Sequence, residues 1–227
     1  MQTKEWDIEI GDLFSEAWAR VDGSKMVIFG AFFIYAMALI VIQVITEGFT
    51  SSSTEPSVLD MTTSVTISIL AMPITIPLVT GLIFLGIKRA QDKPIETTMV
   101  FDYFVKVWPL VILNIVMLIL IYLGLFLLVL PGIYLSIAYA FAIPLSIEKN
   151  LGIWDSLELS RKSVTRHWFK VFFVYLLSTL AIIASIFTLG IALIWTVPLV
   201  MITYGILYRE IFSDEQIVTD NRPLHYT

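Results

Sequence analysis

The sequence predicts an all-α integral membrane protein: six transmembrane helices arranged as three parallel-repeat hairpins, each preceded by a cytoplasmic amphipathic interfacial helix. Three observations carry this expectation. The 227-residue chain is 58% hydrophobic and only 15% charged, where soluble domains run near 45–50% apolar and about 25% charged. Its mean hydropathy of +0.87 reflects apolar side chains that face lipid as well as those that face a core. Finally, all 14 Lys and Arg fall in the N-terminal segment, the two segments between hairpins, or the tail. By the positive-inside rule those segments and both termini are cytoplasmic, and six spans satisfy the parity.

In residues 1–23, Leu13, Phe14, Ala17, Trp18 and Val21 share one helical face, with Asp12, Glu16 and Arg20 opposite. This segment is too polar to span and is read as interfacial. It lacks a basic n-region and an A-x-A site, so the first span is expected to be retained as an uncleaved insertion signal. Span one is expected over Met26–Ile45, followed by an acidic Ser/Thr-rich loop, Thr46–Asp60. Span two, Val65–Ile87, contains Pro73 and Pro77, which should bend it, and closes on Lys88, Arg89 and Lys93.

A second amphipathic helix is expected over Pro94–Trp108, its apolar face made by Val100, Tyr103, Phe104, Val107 and Trp108 and its polar face carrying an Asp102–Lys106 pair. Span three is Pro109–Leu130, and Leu130-Pro131-Gly132 should reverse the chain into a short span four, Ile133–Ile147, which holds Pro144. The third amphipathic helix is Ile153–His167, with a Glu158–Lys162 pair. Span five is Trp168–Thr188, the turn is Leu189-Gly190, and span six is Ile191–Leu207 with Pro198.

The pairs Glu16–Arg20, Asp102–Lys106 and Glu158–Lys162 align, and each precedes a hairpin whose second arm carries Ile76-Pro77-Leu78, Ile143-Pro144-Leu145 or Val197-Pro198-Leu199. This spacing predicts one polytopic domain over 1–227, with repeats at roughly 7–93, 94–150 and 151–210 and a polar tail, 211–227. The repeat is parallel, unlike the inverted repeats of many alternating-access transporters.

The chain offers little chemistry. It has no cysteine and two histidines, and no metalloprotease, nucleophile-elbow or phosphate-loop motif. No catalytic residue, cofactor site or metal site is expected. Mid-membrane, the strongly polar side chain is Asn114, which an interhelical hydrogen bond would satisfy. His167, between Arg166 and Trp168, is expected to be an interfacial anchor, and Trp108, Trp168 and Trp195 sit at span ends as an aromatic belt. The candidate lipid or partner contacts are Glu148, Arg161, Lys162, Arg166 and Lys170. Glu148 lies where span four meets the cytoplasm, and a bridge to Lys149 or to a base of the third surface helix is the plainer role for it. The four bases are either the positive-inside signal alone or a patch for anionic headgroups.

The block from Leu130 to Lys170, with Pro131-Gly132-Ile133, Glu148-Lys149, Gly152, Ser156-Leu157 and Ser160, resembles a group of bacterial membrane proteins. These are the YciC-like inner-membrane proteins and the membrane domain that precedes some glycerophosphoryl diester phosphodiesterases. The resemblance implies a fold and no mechanism, and the phosphodiesterase catalytic domain is absent. The expected function is non-enzymatic: binding membrane lipid, a membrane partner or a second copy in envelope upkeep, with no nucleic-acid partner. A carrier for a small or lipidic molecule and an immunity protein against a membrane-acting toxin are the alternatives.

Overall fold

The structure, a computed structural model, describes residues 9–50 and 57–212; residues 1–8, 51–56 and the tail from 213, including His225, lie outside it. The described residues are helical throughout, without strands. Helix α1 is Ile10–Val21, α2 Lys25–Phe49 and α3 Val58–Ala90. A 3₁₀ helix, Thr97–Lys106, leads into α4, Val107–Leu127. Then come α5, Val129–Ala138; α6, Ala142–Glu148; α7, Ile153–Thr165; α8, Trp168–Ile186; and α9, Leu193–Phe212. Among the described residues five segments are long and apolar enough to cross a membrane: α2, α3, the 3₁₀ helix with α4, α5 with α6, and α8. Helix α9 is not among them; it carries Arg209 and Glu210 in its last turn.

Helices α3 and α9 form the centre. A Cβ on Gly86 would run into the Met201 carbonyl, and one on Gly205 into the carbonyl of Gly86, so the two backbones touch. Such contact is how helices gain dispersion energy in lipid, where apolar burial gives no drive of its own. Leu82, Leu85, Ile202 and Ile206 fill the seam, and α1 lays Leu13, Ala17 and Val21, four residues apart, onto the same core. A second core joins Ile76, Leu110, Leu113, Ile143 and Leu157.

Four local expectations are corrected. Thr46–Asp60 is mostly helical at its edges, because α2 continues to Phe49 and a reciprocal Ser57–Asp60 capping box starts α3. The second surface helix is 3₁₀, where residues i and i+3 share a face and i+4 lies about 120° away, and Asp102 and Lys106 form no ion pair. Pro131-Gly132 is not the turn. The chain reverses at Leu128 alone, in an extended conformation, and Pro131 sits in the first turn of α5, where its missing N–H costs nothing. Gly132 instead lets α5 approach α4, since a Cβ there would strike Leu125. Span four is two helices, α5 and α6, broken at Tyr139–Phe141. The Leu189-Gly190 turn forms as expected, both residues having left-handed φ, 55° and 80°. Pro73 and Pro77 lie inside α3 without ending it.

The seam makes a sharp demand on side-chain size. Gly86→Ala should lower stability in detergent by about 1–3 kcal/mol through overpacking. Gly11→Ala, where nothing lies within 4 Å, should show no such loss. Thermal unfolding followed by tryptophan fluorescence separates the two.

Candidate functional site

The site begins with the break in span four. Pro144 has no N–H, so the Ala140 carbonyl four residues before it loses its helical donor. The Tyr204 hydroxyl of α9 donates to that carbonyl at 2.7 Å. From α7, the Ser160 hydroxyl donates to Ala138 O at 2.7 Å and accepts from Phe141 N at 3.2 Å. Groups that a continuous helix would have paired are thus paired from two neighbours, as a site without water requires. Phe141 packs among Tyr204, Tyr208 and Phe212 at ring-centroid distances of 4.9, 6.0 and 5.6 Å.

With Ser156, Leu157, Ser160 and Val164 buried, α7 turns its charges outward. Glu158 holds Arg161 by two bonds, 2.9 and 2.8 Å, and Lys162 at 3.2 Å. The Arg161 bonds, then those of Lys162, keep the Glu158 carboxyl down at about 2. Arg161 and Lys162 therefore share one acid. Arg166, at the end of α7, is exposed, and Lys170 is half-buried on the first turn of α8. Trp154, at the start of α7, and Phe169, next to Lys170, are exposed. Tyr134 of α5 meets the same corner: its hydroxyl lies 2.6 Å from Thr165 Oγ1, and Trp168 Nε1 donates to its carbonyl at 3.2 Å.

Glu148 belongs elsewhere. Rather than bridging Lys149 or a base of α7, its carboxylate accepts the hydroxyl of buried Tyr208, because the end of α6 faces α9. Of the five predicted contacts, four gather at the α7–α8 corner and Glu148 does not join them. Asn114 is half-buried on α4 and makes no side-chain hydrogen bond, so the expected interhelical bond is absent. Among the described residues no group of three His, Asp or Glu could hold a metal ion.

A second polar centre is larger than the sequence suggests. Arg20 pairs with Glu16 at 2.9 Å, as expected from their spacing, and also with Asp92 at 2.6 Å. Arg209 of α9 reaches Glu16 at 3.0 Å and donates to Ala90 O, at the end of α3, at 2.6 Å. Arg89 returns the contact, donating to Arg20 O at 3.0 Å and Asp22 O at 3.1 Å. Bases at helix C-termini are the signal, since free carbonyls there favour cations. Which helix ends meet is not legible from spacing.

Comparison with models of protein families, with curated proteins and with solved structures finds no match.

Two outcomes follow from these contacts. Tyr204→Phe should cost about 1 kcal/mol by stranding the half-buried Ala140 carbonyl, whereas Tyr122→Phe, on the exposed face of α4, should cost nothing measurable. The folded Glu158 carboxyl lies below its unfolded value, so its contribution is full above the ordinary carboxylate range and disappears as pH falls toward about 2. A carbon-detected NMR titration should place its midpoint there in wild type and near the ordinary value in an Arg161→Gln, Lys162→Gln double variant.

Proposed function

We propose that this chain is a non-enzymatic, multi-pass protein of the bacterial inner membrane that binds anionic lipid headgroups at the α7–α8 corner, in upkeep of the envelope. The carrying observation is Arg166: an exposed base three residues before exposed Phe169, at the point where the charged helix α7 hands over to the apolar helix α8. Residues 153–170 contain four bases, Arg161, Lys162, Arg166 and Lys170, against two acids, Asp155 and Glu158. A base near an anionic surface contributes about 1 kcal/mol, and aromatic rings settle at the same depth.

In this reading α2, α3, α8 and α9 cross the bilayer, and α1, the 3₁₀ helix and α7 lie on its cytoplasmic surface with both termini on that side. Helix α9, about 30 Å long at 1.5 Å per residue, crosses inside the others, which accounts for its polar end being tied to α1 and α3. The proposed threefold repeat is supported by the burial of Pro77, Pro144 and Pro198 and by two of its three ion pairs. The resemblance of Leu130–Lys170 to the YciC-like proteins agrees with this reading. A carrier needs a polar path between α3, α6 and α9; that seam is packed with Leu82, Leu85, Phe141, Leu145 and Ile206, which weighs against transport.

Native mass spectrometry of the detergent-extracted protein, titrated with phosphatidylglycerol or phosphatidylcholine, tests the proposal. Phosphatidylglycerol should be preferred, and Arg166→Gln should weaken its binding about five-fold, the equivalent of about 1 kcal/mol. Arg161→Gln should do less, its charge being already held by Glu158. Equal retention of the two lipids by wild type would sink the lipid-binding role.

A further inference from the structure

The second hairpin, α4–α5, is expected to cross the bilayer, and its contacts place it differently. Its tip is Leu128, and Tyr134 lies six residues further on, about 9 Å along α5 at 1.5 Å per residue. Yet Tyr134 is held at the α7–α8 corner twice, by Thr165 at 2.6 Å and by the Trp168 indole at 3.2 Å, with the two rings stacked at 6.4 Å. That corner carries exposed Lys162 and Arg166, so it faces water or headgroups, since charge at depth in hydrocarbon is costly. The contact is no isolated touch. Helix α7 runs antiparallel beside α5 and α6, meeting Ala138 and Phe141 through Ser160, and Ala142 and Ile143 through Leu157. Everything from Tyr134 to Glu148 therefore lies alongside a charged surface helix. Only about 9 Å of α5 is left to reach into a hydrocarbon layer about 30 Å thick.

Two independent features agree. From Leu123 to Ile133 there is no polar side chain, and Phe126, Leu128 and Leu130 are 89%, 68% and 80% exposed. A tip emerging on the far side would set these residues in water; one ending inside the bilayer sets them among acyl chains. Helix α4 also parts from α3 beyond their shared contact at Ile76, Leu110 and Leu113. The opening is an apolar groove of about 510 Å³ whose lining includes Ile69, Met72, Ile119, Tyr122 and Phe126. A helix about 31 Å long that enters at Lys106 and ends at a shallow tip has to lie oblique, and the groove is what that obliquity leaves.

We propose that α4–α5 is a re-entrant hairpin: it enters and leaves on the face of α7 and seats Phe126–Leu130 among the acyl chains of that one leaflet. Helix α8, which α5 touches, also exposes large apolar side chains, Phe173, Leu176, Leu180 and Ile183 among them, so the occupant of the apolar tip is lipid hydrocarbon. A re-entrant hairpin leaves the parity of the crossings, and the common side of the termini, unchanged. It also adds apolar volume to one leaflet only.

The chain has no cysteine, so single-cysteine variants report position cleanly. Leu128→Cys and Leu130→Cys, both at exposed sites, are compared with Thr50→Cys at the end of α2. In vesicles of the full chain, an impermeant maleimide added from the Thr50 side should label Thr50→Cys at least ten-fold faster than either tip variant. Bimane on the tip should be quenched more by lipids carrying a nitroxide deep in the chain than by headgroup-level nitroxides. Tip labelling within two-fold of Thr50→Cys, or stronger quenching at headgroup level, overturns the proposal. The inference rests on the membrane reading above, and extraction of the protein by alkaline carbonate would overturn both, whereas tip labelling overturns the hairpin alone.

Discussion

The close approach of α3 and α9 is the constraint on which the other helices depend. Gly86 and Gly205 bring the two backbones into contact, and larger side chains above and below interlock around them. In lipid this contact has to come from dispersion and small residues rather than from escape from water. Once α9 is seated, Arg209 reaches the last carbonyl of α3 and the Glu16 carboxylate, which fixes α1 across the end of the bundle. Tyr204 and Tyr208, on the same helix, reach Ala140 and Glu148 and so hold α6. One helix thus organises the N-terminal surface helix, the long second span and the broken fourth segment.

The break at Tyr139–Phe141 shows how a proline is accommodated where backbone groups have no water to turn to. Pro144 strands the Ala140 carbonyl, which a tyrosine of α9 answers, and the break before it frees Ala138 O and Phe141 N, which a serine of α7 pairs. Ser160 acts as donor and acceptor at once, which only a hydroxyl can do at that position. The conformational break and the burial of a polar side chain are therefore one feature. The same serine sets the register of α7 against α5, and with it the level of the basic corner relative to the second hairpin.

That register links the basic corner to the apolar hairpin tip. The corner presents Arg166 and Lys162 to the surface, while the hairpin tip, about 9 Å from Tyr134, presents only Leu, Val and Phe. In the proposed reading, a protein built this way grips one leaflet from both its polar and its apolar sides.

Composition and hydropathy alone determined that the chain is helical and suited to a membrane, because apolar runs of span length have no other low-energy home. Helix positions were also legible in sequence, as was the Leu189-Gly190 turn, since these depend on neighbours a few residues apart. The Glu16–Arg20 and Glu158–Lys162 pairs were legible for the same reason, and Asp102–Lys106 failed because the 3₁₀ winding changes which residues share a face. Of the candidate site, the bases of the corner could be read from spacing. The partner of Glu148, the role of Ser160 and the knot around Arg209 could not, because each joins residues 19 to 193 positions apart. Only the tertiary structure decided those, because an apolar run satisfies lipid equally whether it crosses or turns back, and the contacts it makes with other helices come from residues distant in sequence.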